Sequence, residues 1–283
     1  MTDQLKSPSP DIKVDVAVCT YQSEKYLDEC LTSIENTVPF NKLIVVDHYS
    51  TDKTVEIAKK HKAEIYFENV SIGYARQVAI EHSKAPFILF VDSDVVFYDD
   101  DWFKSAIGLF KDEKKKVGAI GIEIPARLPP WRRKYVDFWW KTVPQIRTPS
   151  FSNVYFLRRQ AIKGIKIPDR LGAYEHVFIR SYVAKKGWKI YVIQGNGLHY
   201  YDYPDWKCAW LGAGSRVFGG EKVKDLPKML IRRVLTACLK AVPPAVAYND
   251  PSIILHNTLY WFRYLKGWLK PDKYIMLKRR YEG

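Results

Sequence analysis

The sequence contains no run approaching the ~20 uninterrupted apolar residues that a membrane-spanning helix needs, although 47% of its 283 residues are hydrophobic. Cysteine is scarce: Cys19, Cys30, Cys208 and Cys238 are widely spaced and form no CxxC pair. That spacing argues against a zinc site or a disulfide framework and for free thiols. No internal repeat is present, and no low-complexity tract beyond a polar, Pro/Ser-rich stretch from Met1 to Asp11. That stretch lacks the apolar core of a signal peptide and reads as a short disordered leader (1–11) on a cytosolic protein. A glycine-rich phosphate loop is missing between Val18 and Glu24, which argues against a nucleotidyltransferase.

Positive charge is what the chain has in excess, with a net charge of +14. From Lys207 to Gly283 there are 15 Lys/Arg against 5 Asp/Glu, a net of +10. From Arg127 to Arg147 six basic residues stand against Asp137 alone, a net of +5. The rest of the chain therefore sums to about −1, being 14 − 15. Basic blocks of this kind suit an anionic partner, such as acidic lipid, a phosphorylated substrate or nucleic acid, or form a solvated surface.

The first half alternates strand and helix patterns. Val14–Val18, Lys42–Asp47 (KLIVVD), Glu64–Phe67, Pro86–Val91 (PFILFV) and Val117–Ile122 read as strands. Between them, Ser23–Asn36, Asp52–His61, Tyr74–His82 and Asp101–Lys111 read as helices, with Ser50-Thr51-Asp52 supplying capping side chains. Phe151–Leu157 and Lys189–Ile193 read as further strands and Tyr174–Lys186 as a helix. This alternation predicts an α/β domain over 12–203, with a mostly parallel sheet flanked by helices. In such sheets ligands bind beyond the carboxyl ends of the strands. The polar residues ending the strands are Thr20, Asp47 and Asp92-Ser93-Asp94, so the rule brings them to one edge.

Residues 204–283 form a basic helical extension. From Lys228 to Val242 polar side chains recur at Lys228, Arg232, Thr236 and Lys240, opposite Leu230, Ile231, Val234, Leu235, Cys238 and Leu239. From Ile253 to Lys270, Trp261, Phe262, Leu265, Trp268 and Leu269 oppose Arg263, Lys266 and Lys270. Such helices either lie in a membrane interface or pack on the catalytic domain. The aromatics, with Trp139-Trp140, favour the membrane.

Asp92 and Asp94 are two carboxylates one residue apart after an apolar strand. Mg²⁺ and Mn²⁺ take oxygen ligands, often one or two carboxylates completed by diphosphate oxygens. With their neighbours these residues resemble the family 2 glycosyltransferases, which share the GT-A nucleotide-sugar fold. The resemblance runs from about Asp15 to His199 and rests on three motifs in order: VAVCTYQSEKYLDECLTSIENT, LIVVDHYSTDKTVEIAKKH and GYARQVAIEHSKAPFILFVDSD. It departs at His48, where the family has a second Asp, and at Gln22 and Gln77, where it has Asn.

The resemblance implies that Thr20, Tyr21, Asp47, Arg76, Asp92 and Ser93 bind the nucleotide sugar, a UDP- or GDP-sugar. It further implies that Asp92 and Asp94 ligate Mg²⁺ or Mn²⁺, with His199 as a third ligand, and that transfer is inverting. The same resemblance places the catalytic base in the pair opening a helix, here Glu175-His176, beside Asp92. An imidazole accepts a proton at neutral pH. Glu175, His176 or neither serves, since a phosphate acceptor is already ionised. The matching implies that Arg158 or Arg159 lies near the acceptor. The acceptor is expected to be a polyprenyl phosphate or lipid-linked glycan, at the inner face of the cell membrane, with no nucleic acid. The alternatives are a catalytically silent nucleotide-sugar-binding protein and a basic nucleic-acid binder.

Overall fold

The computed structural model describes residues 13–142, 153–169, 171, 174–200, 205–219 and 223–275. The expected leader and the boundary at Tyr203-Pro204 lie outside these residues. The described residues fall into two compact units. The first takes 13–126, 153–167 and 176–200; the second takes the rest, so that residues from Arg127 onward in the middle of the chain join the C-terminal helices.

The first unit contains strands β1 (Val14–Thr20), β2 (Lys42–Asp47), β3 (Glu64–Phe67), β4 (Phe87–Asp92), β5 (Val95–Phe97), β6 (Val117–Glu123), β7 (Val154–Arg158), β8 (Lys189–Gln194) and β9 (Gly197–His199). Its helices are α1 (Glu24–Thr37), α2 (Thr54–Lys60), α3 (Ile72–His82) and α4 (Asp101–Lys111), joined after α5 (Pro130–Thr142) of the second unit by α6 (Glu175–Lys185). Seven strands form one sheet in the order β3-β2-β1-β4-β7-β6-β8. Only β7 runs antiparallel to its neighbours; the other pairs are parallel. β5 and β9 make a separate antiparallel pair.

The central strands are buried on both faces, which is why they read as near-continuous Val/Ile/Leu runs. One face receives Leu27, Leu31 and Ile34 of α1 and Trp102, Phe103 and Phe110 of α4. Burying each such side chain stabilises the fold by about 1.5–3 kcal/mol. Registers follow from this burial, because a one-residue slip would expose the core. Thr20 therefore stands beside Asp47 and Cys19 beside Asp92.

The second helix is shorter than its sequence suggests. Ser50 turns back to Asp47 and Asp52 accepts from the Thr54 amide. The helix thus starts two residues later than expected, with Lys53 as an N-cap that makes no side-chain bond.

The second unit is helical: α5, α7 (Asp205–Gly219), α8 (Leu226–Met229), a π-helical segment (Leu230–Leu235), α9 (Thr236–Leu239), α10 (Val242–Ala247), α11 (Ser252–Leu269) and α12 (Pro271–Ile275). Pro243 and Pro244 sit in the first turn of α10, where the missing N–H costs nothing. The backbones of α7 and α11 cross closely. A Cβ on Gly267 would fall 1.7 Å from the Ala209 carbonyl oxygen, and one on Gly212 1.9 Å from that of Tyr264, so both positions require glycine.

Trp268 is fully buried with Met229 and Val234, and Leu226, Leu230, Cys238, Trp261 and Leu265 pack against them. Trp268 therefore faces its own unit and is unavailable to an outward membrane face, while Trp261 packs against the same cluster partly buried. The amphipathic pattern marks which side chains are apolar, not which surface covers them. Among the described residues no helix is long and apolar enough to cross a membrane.

Candidate functional site

The loops after β1, β2 and β4 are sewn together by polar side chains at the carboxyl edge of the sheet. Thr20 donates its hydroxyl to Asp47 Oδ1 at 2.7 Å. Ser50 gives Asp47 two more hydrogen bonds, from its hydroxyl and its amide. Asp47 is completely buried, so it holds this turn from within rather than facing solvent. Gln22, at φ +47°, receives the Thr51 and Asp52 amides on its side-chain oxygen. The Ser23 and Ser93 hydroxyls meet at 3.0 Å, linking the β1 and β4 loops.

The departure at His48 has a structural use. Its Nδ1 lies 2.7 Å from Glu68 Oε1, and the other oxygen of Glu68 accepts from the Val70 and Ser71 amides. His48 thereby ties the end of β2 to the start of α3, the helix that carries Arg76. Tyr21 packs edge-on against the His48 ring. Beyond them, Tyr49 and Phe67 form an exposed aromatic pair with centroids 5.3 Å apart.

Arg76 is 3% exposed. Its guanidinium lies 4.8 Å over the Tyr155 ring, donates to the Tyr155 hydroxyl and reaches Asp92 Oδ1 at 3.1 Å. A planar donor fork suits this dual contact, which a lysine would not reproduce. Arg76 thus fixes the rotamer of Asp92. The Cys30 thiol donates to the Asp92 carbonyl at 3.6 Å. Burial, reinforced by the Asp94 charge, pushes that thiol far above its usual range, so it stays protonated and unreactive.

Asp92, Asp94 and His199 each present one ligand atom, all within 4.8 Å of one another. Asp92 ends β4, and Asp94 stands in the turn before β5. His199 arrives because β9 pairs with β5, setting His199 opposite Val95. Its backbone is pinned from two sides, its own N–H donating to the Pro125 carbonyl and the next N–H, of Tyr200, to that of Asp94. The Tyr200 ring stacks on Tyr26 at 4.4 Å. His199 Nε2 lies 3.2 Å from Asp94 Oδ1, and Nδ1 lies 2.8 Å from the Asn153 amide nitrogen. The imidazole is 2% exposed, while the two carboxylates are 31% and 28% exposed. Two hard oxygen donors and one imidazole, partly open to solvent, fit a divalent cation that keeps further positions for phosphate oxygens.

The remaining sequence candidates fall elsewhere. Glu175 and His176 open α6, Glu175 buried and His176 half-buried, and neither belongs to the Asp92–Asp94–His199 cluster. Arg158 pairs with Phe87 at the opposite end of β4, about 16 Å from Asp92 at ~3.3 Å per residue. It donates to the Val117 and Phe110 carbonyls, and Arg159 donates to those of Ala85 and Ile80. The expectation that one of them lies near the acceptor is corrected: both close the far end of the sheet, beside a cavity of about 730 Å³ also lined by Gln77, Phe87 and Lys163. Asn153, Tyr155, Glu68 and Ser23 are the participants that sequence reasoning missed. A single Ser or Asn in a polar stretch carries no periodic signal, and only strand pairing brings these groups to the edge.

Residues 15–183 match the family model described as Glycosyl transferase family 2. The glycosyltransferase SunS of Bacillus phage SPbeta is 35% identical over 105 residues, 36% of this chain and 24% of that protein. The poly(ribitol-phosphate) beta-N-acetylglucosaminyltransferase TarS of Staphylococcus aureus (strain Mu50) is 36% identical over 93 residues, 29% of this chain and 16% of that one. The chain thus spans a quarter or less of the length of these curated relatives. Among solved structures, the glucosyl-3-phosphoglycerate synthase of Mycobacterium tuberculosis aligns with a TM-score of 0.58 at 16% identity, covering 75% of this chain and 81% of that one. That enzyme was crystallised with Mn²⁺, uridine diphosphate and glucosyl-3-phosphoglycerate. The fold is therefore GT-A-like, and with more than half its length in the match, this chain belongs to glycosyl transferase family 2.

Proposed function

We propose that this chain is a metal-dependent, inverting glycosyltransferase that moves a sugar from a UDP- or GDP-sugar to a membrane-associated acceptor, a polyprenyl phosphate or a lipid-linked glycan. The reading is carried by one observation: Asp92, Asp94 and His199 converge within 4.8 Å at the sheet edge where ligands of such folds bind. The solved relative holding Mn²⁺ and uridine diphosphate supports the choice of ligand, and the poly(ribitol-phosphate) transferases support an anionic acceptor.

In this reading Asp92, Asp94 and His199 hold Mn²⁺ or Mg²⁺, the imidazole favouring Mn²⁺. A cation there supplies positive charge to the departing diphosphate. Arg76 keeps Asp92 aimed at the cluster. Thr20, Tyr21 and Ser93 line the nucleotide side, and Asp47 contacts the base by exchanging a Ser50 donor for a base N–H. Of the pair opening α6, the less buried His176 takes the proton of a hydroxyl acceptor, with Glu175 behind it; an ionised phosphate needs no base. The protein works as a peripheral protein on the cytoplasmic face of the cell membrane.

Calorimetry of uridine diphosphate with Mn²⁺ tests the central point. Asp94→Ala should weaken Mn²⁺-dependent binding by on the order of a hundredfold, at least the loss that removing a partner behind a metal ligand causes, and leave the melting temperature nearly unchanged. Equal affinities for wild type and variant refute the metal reading.

A further inference from the structure

The second unit carries more aliphatic surface than its interior holds. Met229, Val234 and Trp268 are buried together, yet the residues one step around the same helices face outward. Ile231, Leu235 and Leu239 are 60%, 56% and 70% exposed, spaced four apart so that they form one row. On α11, Leu255, Leu259, Phe262 and Leu269 are 59%, 38%, 58% and 43% exposed, again at helical spacing. Val242 and Val246 continue the pattern on α10. Among the described residues, nine of the fourteen exposed large hydrophobics fall between Ile231 and Leu269. Such density marks a binding surface rather than ordinary scatter.

The charge around these rows identifies the partner. From Leu226 to Asn249, and again from Pro251 to Pro271, the sequence has no aspartate or glutamate. The one carboxylate between them, Asp250, is engaged by Lys134 at 2.7 Å. Lys228, Lys240, Lys266 and Lys270 are exposed alongside the apolar rows. A surface that is aliphatic and cationic, whose sequence from Leu226 to Pro271 holds no acid but the paired Asp250, complements an anionic lipid interface, where Leu and Phe enter the acyl boundary and Lys meets the headgroups. A stretch from Leu255 to Leu269 is about 21 Å long at 1.5 Å per residue, too short and too interrupted by charge to span a bilayer.

We infer that the exposed rows on the π-helical segment with α9, on α10 and on α11 insert side by side with lysines into the surface of an anionic bilayer, anchoring the enzyme where its acceptor resides. The inference rests on the membrane-acceptor reading above and names the residues that serve it. It differs from a packing role, since buried Trp268, with the partly buried Trp261 against its cluster, holds the helices together, whereas the outer aliphatics stand exposed.

Sedimentation of the full chain with vesicles, with no donor, acceptor or metal present, tests it. Wild type should pellet with phosphatidylglycerol/phosphatidylcholine vesicles and on the order of tenfold less with phosphatidylcholine alone. The double variants Leu235→Glu/Leu239→Glu and Leu255→Glu/Phe262→Glu should each lose at least about tenfold in partitioning while keeping the wild-type melting temperature and Mn²⁺-dependent nucleotide affinity, because more than half of each altered residue is exposed. Lys240→Glu/Lys270→Glu should weaken binding to anionic vesicles and flatten its salt dependence. Unchanged partitioning of the apolar variants overturns the inference. So does wild type that ignores vesicles but dimerises through this face, shown by variants that turn monomeric in sedimentation equilibrium. Vesicle binding without any nucleotide binding would instead sink the transferase reading and leave the anchor standing.

Discussion

The two ends of the central sheet carry the same residue types in opposite uses. At the amino end of β1, buried Asp15 accepts from the Lys84 and Ala85 amides, the Ser83 hydroxyl and the Asn41 side chain. Beside it Arg159 donates to backbone carbonyls and to Ser83. Carboxylate and guanidinium there are bound largely to the chain's own backbone, and the result is a lock. At the carboxyl end, Arg76 meets Asp92, Asp94 meets His199 and Ser23 meets Ser93. These bonds join side chain to side chain, and two carboxylates remain about a third exposed. An arginine near an aspartate at a sheet end is therefore not by itself a site. What distinguishes the two ends is whether backbone groups fill the acceptors and whether solvent reaches the carboxylates.

The same conservative change at each end tests that distinction most sharply. Arg76→Lys keeps the charge but loses the fork to Tyr155 and Asp92, and should lower sugar-transfer turnover by on the order of 10²–10³, the effect of removing one well-placed donor. Arg159→Lys should lower the melting temperature by several degrees and leave turnover per folded molecule unchanged. If Arg159→Lys impairs turnover as much as Arg76→Lys, the two ends are not functionally distinct.

Asp15→Ala should follow in size, costing about 3 kcal/mol in urea unfolding, because the Lys84 and Ala85 amides are left without their acceptor. The pH dependence carries the sign. Burial opposes the charge on Asp15, but the hydrogen bonds from Ala85, Asn41, Lys84 and Ser83 prevail and hold its carboxyl below the usual range. Its stabilisation is therefore complete above the ordinary carboxylate pKa of ~3.9 and is lost as pH falls toward the folded value. Wild-type stability should drop more steeply below about pH 4 than that of Asp15→Ala. Parallel curves would place the hydrogen-bonded charge elsewhere.

How much of this was legible in the chain depended on whether a feature is local. VDVAVCT, KLIVVD and FILFVD are buried on both faces, so their strand character and the gathering of Thr20, Asp47 and Asp92 followed from pattern alone. The antiparallel β7 did not, because strand direction is set by the connection and not by composition. The β5–β9 pair joins two three-residue strands about a hundred residues apart, too short for a periodic signal, so His199 was reachable only through resemblance. The helical pattern of the C-terminal region gave the elements but could not say that Trp268 turns inward and Leu239 outward, since neighbouring helices make that choice. Of the capping residues Ser50-Thr51-Asp52, Asp52 does accept from the first amide of the helix, while Ser50 turns to the end of β2, where Asp47 competes for it.

The smallest effect concerns a group that only the fold reveals. A neutral imidazole carries one hydrogen, on one of its two nitrogens. Nε2 lies 3.2 Å from Asp94 Oδ1, and Nδ1, 2.8 Å from the Asn153 amide nitrogen, accepts from it. For Nε2 to offer its lone pair to a cation, the hydrogen must sit on Nδ1, and Asn153 must then present its oxygen. A half-turn of the amide accomplishes this with little change of shape, so Asn153 is suited to fix either tautomer. Such partners of a ligating histidine alter metal affinity by about 10–100-fold. Asn153→Ala should weaken Mn²⁺ binding by about tenfold, while Asn153→Asp, which always offers oxygen, should bind at least as tightly as wild type. The ¹⁵N shifts of His199 should show the Nδ1–H form gaining in Asn153→Asp and the two forms mixing in Asn153→Ala. Mn²⁺ affinities that ignore both substitutions would mean that His199 stands beside the carboxylates as a structural neighbour, and that the cation is held by the exposed pair alone.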